Sequence, residues 1–261
     1  RTQKPGKIIT WQSIHKSALI MALIDTHAHL YLPDFEDDIE QVITRAQTSD
    51  VERILLPNID QTSLDPLKLL CAHPSGIFLP MIGLHPTSVK ENYNKEIEIV
   101  KQELQTNHYI AIGEIGIDLY WDKSHYQLQV KAFEQQIQHA LQYDLPIVVH
   151  ARDSFKEILN VLEKFKNTGL RGVLHSFTGN ISQAERALDL GFYLGVGGIA
   201  TFKNAGVGEI INHQPLENLI LETDSPYLAP TPLRGKRNES SYLIHVARKL
   251  AELKKMEVSQ I

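Results

Sequence analysis

From Ala22 onward, eight short runs rich in Val, Ile and Leu alternate with longer stretches whose apolar residues recur at helical spacing. That alternation restricts the chain to a parallel sheet flanked by helices, because parallel neighbours need a crossover between them. The runs predict strands at Leu23-Ile24-Asp25, Arg53-Ile54-Leu55-Leu56, Phe78-Leu79-Pro80-Met81-Ile82 and Tyr109-Ile110-Ala111-Ile112. Four more follow at Pro146-Ile147-Val148-Val149, Gly172-Val173-Leu174, Phe192-Tyr193-Leu194-Gly195-Val196 and Leu219-Ile220-Leu221. Between them, Val130, Phe133, Ile137 and Leu141 form one helical stripe, and Phe155, Ile158, Leu159, Leu162 and Phe165 another, with Gly169 as the expected stop of the second. Eight such units predict an α/β fold of one closed (β/α)₈ barrel of the TIM type. The alternative, a doubly wound open sheet, usually has fewer strands and often a Gly-rich phosphate loop after the first. Here two histidines follow the first strand instead.

The length of 261 residues suits this reading, since α/β barrels run to about 250 residues as one domain. The expected organisation is an N-terminal extension over 1–20, polar and mildly basic, then a hydrolase barrel over 21–261 with Met21 as its natural start. The apolar stretch at 18–24 is too short to cross a bilayer and ends on Asp25, so neither membrane nor targeting is expected. One cysteine, Cys71, excludes internal disulfides and Cys-Cys metal motifs; set in an apolar run, it reads as a buried small hydrophobe in a cytoplasmic protein. A net charge of −5 argues against a broad basic face for nucleic acid, so any hold on phosphate must be local. No obligate protein partner is evident.

The chemistry concentrates at strand ends. In Ile24-Asp25-Thr26-His27-Ala28-His29-Leu30, alternation along a strand puts His27 and His29 on one face, so that both imidazoles reach one cation. Asp25 shares that face, either as a partner behind a ligand or as a hydrogen-bonded core carboxylate. Two polar residues closing a strand would be unremarked alone. Glu114, however, follows the fourth run, His150 ends the fifth, His175 ends the sixth, and Asp224 closes the eighth. A barrel gathers its active site at the C-terminal ends of its strands. Imidazole or carboxylate at five of those ends is hard to explain by packing.

Six donors exceed what one tetrahedral ion requires, and imidazole with carboxylate suits Zn, Mn or Co, with Mg at an oxygen-rich position. The expectation is two divalent metal ions bridged by Glu114, with His27, His29 and Asp224 on one and His150 and His175 on the other. Cations about 3.5–4 Å apart acidify a shared water and stabilise charge on a phosphoryl or carbonyl oxygen.

The motifs Ile-Asp-Thr-His-Ala-His-Leu at 24–30, Gly-Leu-His-Pro at 83–86, Gly-Glu-Ile-Gly-Ile-Asp at 113–118 and Glu-Thr-Asp-Ser-Pro-Tyr-Leu at 222–228 resemble the TatD family of metal-dependent deoxyribonucleases. The resemblance implies a barrel of the amidohydrolase superfamily that hydrolyses phosphodiesters, as an exonuclease on DNA ends. It carries metal-ligand roles onto His27, His29, Glu114, His150, His175 and Asp224, the set reached from the strand ends. The chain departs from the family pattern at Ala28, where many relatives have Cys, and at Ser240, where Pro is common.

Asp224 and Glu114 are the expected catalytic residues, Asp224 also accepting a proton from the attacking water. His85, Arg152 and Arg234 are candidate contacts for substrate phosphate, against a turn-fixed histidine and local ion pairs. Glu222 reads as support behind the site. Lys203, Lys236 and Arg237 extend a basic rim, and Tyr120, Trp121 and Tyr227 offer rings for stacking on unpaired bases, with core packing the plainer reading. The favoured function is a nuclease on DNA or another phosphodiester. The alternative is an amidohydrolase or esterase on a small molecule or an aminoacyl ester such as aminoacyl-tRNA. Superfamily members of that kind often bridge their metals with a modified lysine from the fourth strand, where this chain has Glu114. A non-enzymatic metal-binding scaffold is the third reading.

Overall fold

The computed structural model describes residues 22–261, so the expected extension over 1–20 and the Met21 start lie outside the described residues. Eight strands, β1 Leu23–Asp25, β2 Val51–Leu56, β3 Phe78–Pro80, β4 Ile112–Asp118, β5 Ile147–Arg152, β6 Gly172–Leu174, β7 Phe192–Val196 and β8 Leu219–Leu221, follow one another in the chain. Eight helices alternate with them: α1 Ile39–Thr48, α2 Gln61–Cys71, α3 Tyr93–Thr106, α4 Tyr126–Tyr143, α5 Phe155–Glu163, α6 Ile181–Asp189, α7 Val207–His213 and α8 Leu243–Lys254.

Each strand pairs in parallel with its successor, β1-β2-β3 in one ladder and β4 to β8 in another. Backbone bonds join the two ladders at both seams. Between β3 and β4, Gly113 donates to Ile82 at 2.9 Å, with a parallel bridge between Ile82 and Ile112. Between β8 and β1, Asp224 donates to the His27 carbonyl at 2.9 Å and His29 to that of Ser225 at 2.7 Å. The eight strands thus form the expected barrel. Met81, Ala111, Val148 and Val173 share one cluster with Leu55 and Ile220. Side chains from strands so far apart in the order meet only across a barrel interior, and they make the floor beneath the site.

The helices cover the outside. Phe133, Ile137 and Ala140 of α4 and Ile158, Leu159 and Leu162 of α5 are buried in the largest apolar cluster with Ile115, Ile117, Ile147 and Val149. Burial of each large aliphatic or phenyl side chain contributes about 1.5–3 kcal/mol. The start of α6 is fixed by a reciprocal cap, Asn180 Oδ1 accepting from Gln183 N and Gln183 Oε1 from Asn180 N, both at 2.9 Å. No helix among the described residues is long and apolar enough to cross a membrane.

Three expectations shift. The fourth strand is not at 109–112 but at Ile112–Asp118, so Glu114 lies inside it rather than after it. The third ends at Pro80, and His85 precedes a 3-10 helix, Pro86–Ser88. Helix α5 ends at Glu163, and Gly169, with φ +85°, serves the turn into β6 instead of stopping the helix. Cys71 is half-buried at the end of α2, and burial pushes its thiol up to about 12, which leaves it unreactive.

Candidate metal centre

Strand alternation explains how β5 serves the site. Val148 belongs to the interior floor, His150 stands one step above it, and Arg152 reaches the exposed lip. Strand β4 needs a further device. Its pairing with β5 is irregular between Ile112 and Ile115, and a bulge of that kind changes which residues face inward. Below it Ala111 joins the floor; Glu114 within it and Asp118 above it reach the mouth. Gly116, opposite His150 in the ladder, has φ +142°, and a Cβ there would overlap the His150 carbonyl oxygen.

The structure brings all six candidate ligands together around Glu114, which is 2% exposed. Its Oε2 faces His27 Nε2 at 3.2 Å and His29 Nε2 at 3.5 Å. Its Oε1 faces His150 Nδ1 at 2.9 Å, His85 Nε2 at 3.6 Å and His175 Nε2 at 3.7 Å. Asp224 Oδ1 stands 3.9 Å from His27 Nε2 and 3.8 Å from both His29 and His175 Nε2. The His27 and His175 rings stack, with centroids 3.6 Å apart. His29, His85, Glu114, His150, His175 and Asp224 line a cavity of about 560 Å³, and His27 lies wholly buried behind them.

Hydrogen bonds behind the rings fix their tautomers. Tyr31 Oη donates to the Pro57 carbonyl at 2.6 Å and has no second proton, so at 2.9 Å it accepts from His29 Nδ1–H. That leaves the His29 Nε2 lone pair facing Glu114 and Asp224. His85 Nδ1 accepts from Thr87 N at 3.2 Å, so its neutral ring carries the proton on Nε2, which faces His150 Nδ1 at 3.3 Å and Glu114 Oε1 at 3.6 Å. His150 Nε2 meets Asp118 Oδ2 at 2.9 Å, and the other oxygen of Asp118 accepts from the backbone N–H of Tyr120 and Trp121.

The electrostatics follow from two carboxylates set among imidazoles. Burial raises Asp224 to about 6 against the opposing pull of His175 and His29. Burial also works upward on Glu114, but His27, His175 and His85 outweigh it and hold the carboxyl well below its usual range. On His175 burial acts downward, and Glu222, Glu114 and Asp224 overcome it to carry the ring up to about 10. His27, wholly buried and beside His175, is lowered to about 4 and stays neutral.

The donor set fits divalent cations. Among the described residues the ion-pair partners of Glu114 and Asp224 are all histidines, with no lysine or arginine to balance the buried charge. His27 and His29 Nε2 lie 3.2 Å apart, converging on the same carboxylates. Groups of donor atoms close enough to share an ion occur at His27, His29 and Asp224, at His85, Glu114 and His150, and at His27, His175 and Glu222.

Other candidates fall in different places. Arg152 forms no ion pair among the described residues; its guanidinium lies 3.9 Å from the centroid of the Tyr120 ring. Arg234 is exposed and stacks 4.2 Å over Phe202, outside the cavity lining. Arg237 is not part of an open basic rim: it grips Asp38 through two bonds of 2.7 and 2.8 Å. Trp121 and Tyr227 are exposed rather than packed in the core. Glu222 supports the site from behind, accepting from Ser176 N, with Oε1 3.1 Å from His175 Nδ1. Among the described residues Asp25 has no imidazole as a hydrogen-bond partner: Thr223 N at 2.9 Å, Thr223 Oγ1 at 2.6 Å, Ser240 Oγ at 2.6 Å and the His27 backbone N–H at 3.4 Å donate to it, tying β1 to the segment that carries Asp224. Tyr31 and Asp118 escaped the sequence reading, although each stands in a quoted motif or two residues from a histidine of one.

A family model described as TatD-related DNase matches residues 24–261. The metal-dependent hydrolase YabD of Bacillus subtilis is 37% identical over 240 residues, covering 92% of this chain and 94% of its own. YcfH of Escherichia coli, likewise described as a metal-dependent hydrolase, is 33% identical over 245 residues, 92% of this chain and 91% of its own. The crystal structure of YjjV, a TatD homologue from Escherichia coli, superposes with a TM-score of 0.86 at 30% identity, covering 92% of this chain and 93% of that one. A TatD-family hydrolase from Entamoeba histolytica shares the fold at 22% identity, with a TM-score of 0.79 over 93% and 95% of the two chains.

Proposed function

The chain belongs to the TatD family of metal-dependent hydrolases, and from that premise we propose that it cleaves phosphodiester bonds at DNA ends, with two divalent ions at the barrel mouth. The observation that carries the proposal is Glu114, whose two oxygens face two different histidine groups. In this reading His27, His29 and Asp224 would hold one ion and His150 and His175 the other, with Glu114 between the two groups as the residue that would be shared. When bound, the cations supply Lewis acidity to a water and to the phosphoryl oxygens.

The protein's own groups do the rest. Asp224, whose Oδ1 stands beside the His27, His29 and His175 imidazoles, accepts the proton of the attacking water. The Nε2–H of His85 donates to a non-bridging phosphate oxygen, a role its Thr87-fixed tautomer favours. Arg152, without a carboxylate partner among the described residues, supplies positive charge at the lip for the next phosphate, in keeping with a chain whose net charge of −5 allows only local contacts. A glutamate where the wider superfamily often uses a modified lysine supports a phosphodiester over an amide.

The test is a substrate panel with the purified chain in Mg²⁺ or Mn²⁺: single-stranded DNA, RNA, a model phosphodiester and aminoacyl-tRNA. The expected result is DNA degradation that a chelator suppresses and that Glu114→Ala or Asp224→Ala nearly abolishes. Cleavage of the aminoacyl ester alone would replace the nuclease reading with an esterase one.

A further inference from the structure

Four of the large apolar side chains exposed on this protein stand in two short segments at one mouth: Tyr120 at 53%, Trp121 at 69%, Tyr227 at 53% and Leu228 at 37%. Single exposed apolar residues need no explanation, but a group around a polar cavity does. Trp121, Arg152, Tyr227 and Leu228 line the cavity that holds Glu114 and Asp224. The two segments follow β4 and β8, which stand opposite one another in a ring of eight strands.

Neither segment is loosely attached. Asp118 accepts from the backbone N–H of Tyr120 at 2.9 Å and of Trp121 at 3.2 Å while holding His150. Arg152 lies over the Tyr120 ring and 5.4 Å from the Trp121 ring, bracing the pair from β5. On the other side Tyr227 N donates to the Asp224 carbonyl at 2.8 Å, Asn238 Nδ2 donates to the Tyr227 carbonyl at 2.7 Å, and the Tyr227 ring lies 6.3 Å from that of His29. Tyr227 is thus tied through its backbone to Asp224, and Trp121 through Asp118 to His150, while both side chains stay more than half exposed.

We propose that Trp121 and Tyr227 are a base-stacking pair that holds the unpaired bases next to the bond being cut, with Arg152 between them and the strand's phosphate. This deepens the phosphodiester reading and rests on it. A ring held at a fixed height beside the buried carboxylates sets the register of the strand, whatever its sequence, because every base has a π face. Bases inside a duplex have both faces occupied by neighbours, so the pair selects single-stranded or frayed ends.

The test compares two single strands cut in Mn²⁺, one with thymidine at its terminal positions and one with abasic residues there, for wild type, Trp121→Ala, Trp121→Phe and Tyr227→Ala. Wild type is expected to favour the base-bearing end by roughly 5- to 150-fold in kcat/KM. The preference should fall towards unity in Trp121→Ala and Tyr227→Ala and largely return in Trp121→Phe, a ratio insensitive to the folded fraction. The chain has two tryptophans, so in a Trp11→Phe background the emission reports Trp121 alone and should be quenched by oligothymidine but not by the abasic strand. Equal cleavage of both strands by wild type, or a full preference retained in Trp121→Ala, overturns the stacking pair and leaves the nuclease reading intact. Cleavage of neither strand overturns both.

Discussion

Replacing Tyr31 by Phe removes one oxygen atom, and its consequences follow from two hydrogen bonds. Tyr31 Oη donates to the buried Pro57 carbonyl at 2.6 Å and accepts from His29 Nδ1–H at 2.9 Å. Tyr31→Phe leaves both without a partner, and each such group costs about 1–3 kcal/mol. At the lower end the loss is about 2 kcal/mol, which for a domain of this size lowers Tm by roughly 4–8 °C. The larger effect falls on the metal. Without the hydroxyl nothing keeps the proton on Nδ1, so the His29 lone pair facing Glu114 and Asp224 is no longer fixed. Outer partners of this kind typically govern about 10–100-fold in metal affinity. Thermal unfolding in chelator measures the first loss, and competition with a chromogenic chelator for Zn²⁺ or Mn²⁺ measures the second. A variant whose Tm falls while its metal affinity stays at the wild-type value would refute the tautomer argument and reduce Tyr31 to a packing residue.

Two further outcomes are expected. Gly195 sits against the supporting carboxylate, where a Cβ would come within 2.7 Å of Glu222 Cδ; Gly195→Ala should cost about 1–3 kcal/mol, a fall of roughly 2–12 °C in Tm by calorimetry. Arg237, then Arg45, holds Asp38 at about 2 from an ordinary 3.8, so the stability this pairing contributes is present above 3.8 and is lost as pH falls towards 2. Asp38→Asn should therefore flatten the dependence of Tm on pH across that window, and an unchanged acid limb would show the pairing to be neutral.

How much of this was legible in the sequence depended on whether the signal was local. Strands β1, β6, β7 and β8 fall where the apolar runs put them, because a continuous Val, Ile and Leu run has few alternatives in a buried parallel sheet. Strand β4 does not. Its sequence, Ile-Gly-Glu-Ile-Gly-Ile-Asp, contains two glycines and two carboxylates that interrupt the apolar run, and the reason for Gly116 is the His150 carbonyl on the neighbouring strand. The six donors were visible as strand-end polar residues, but the parity change that turns Glu114 inward is a property of the pairing. Tyr31 and Asp118 act through bonds made only once the barrel closes. Arg237 could not be told from a free cation until Asp38, about 200 positions away, came to rest against it.

The central claim is that Glu114 joins two cation sites into one centre. Titration of the purified, chelator-stripped chain with Mn²⁺, followed by calorimetry and by elemental analysis after dialysis, counts the ions directly. Two per chain are predicted for wild type, with Glu114→Gln retaining one at most while keeping the wild-type fold by circular dichroism. A single ion in wild type, or two ions still bound by Glu114→Gln, would contradict the bridge.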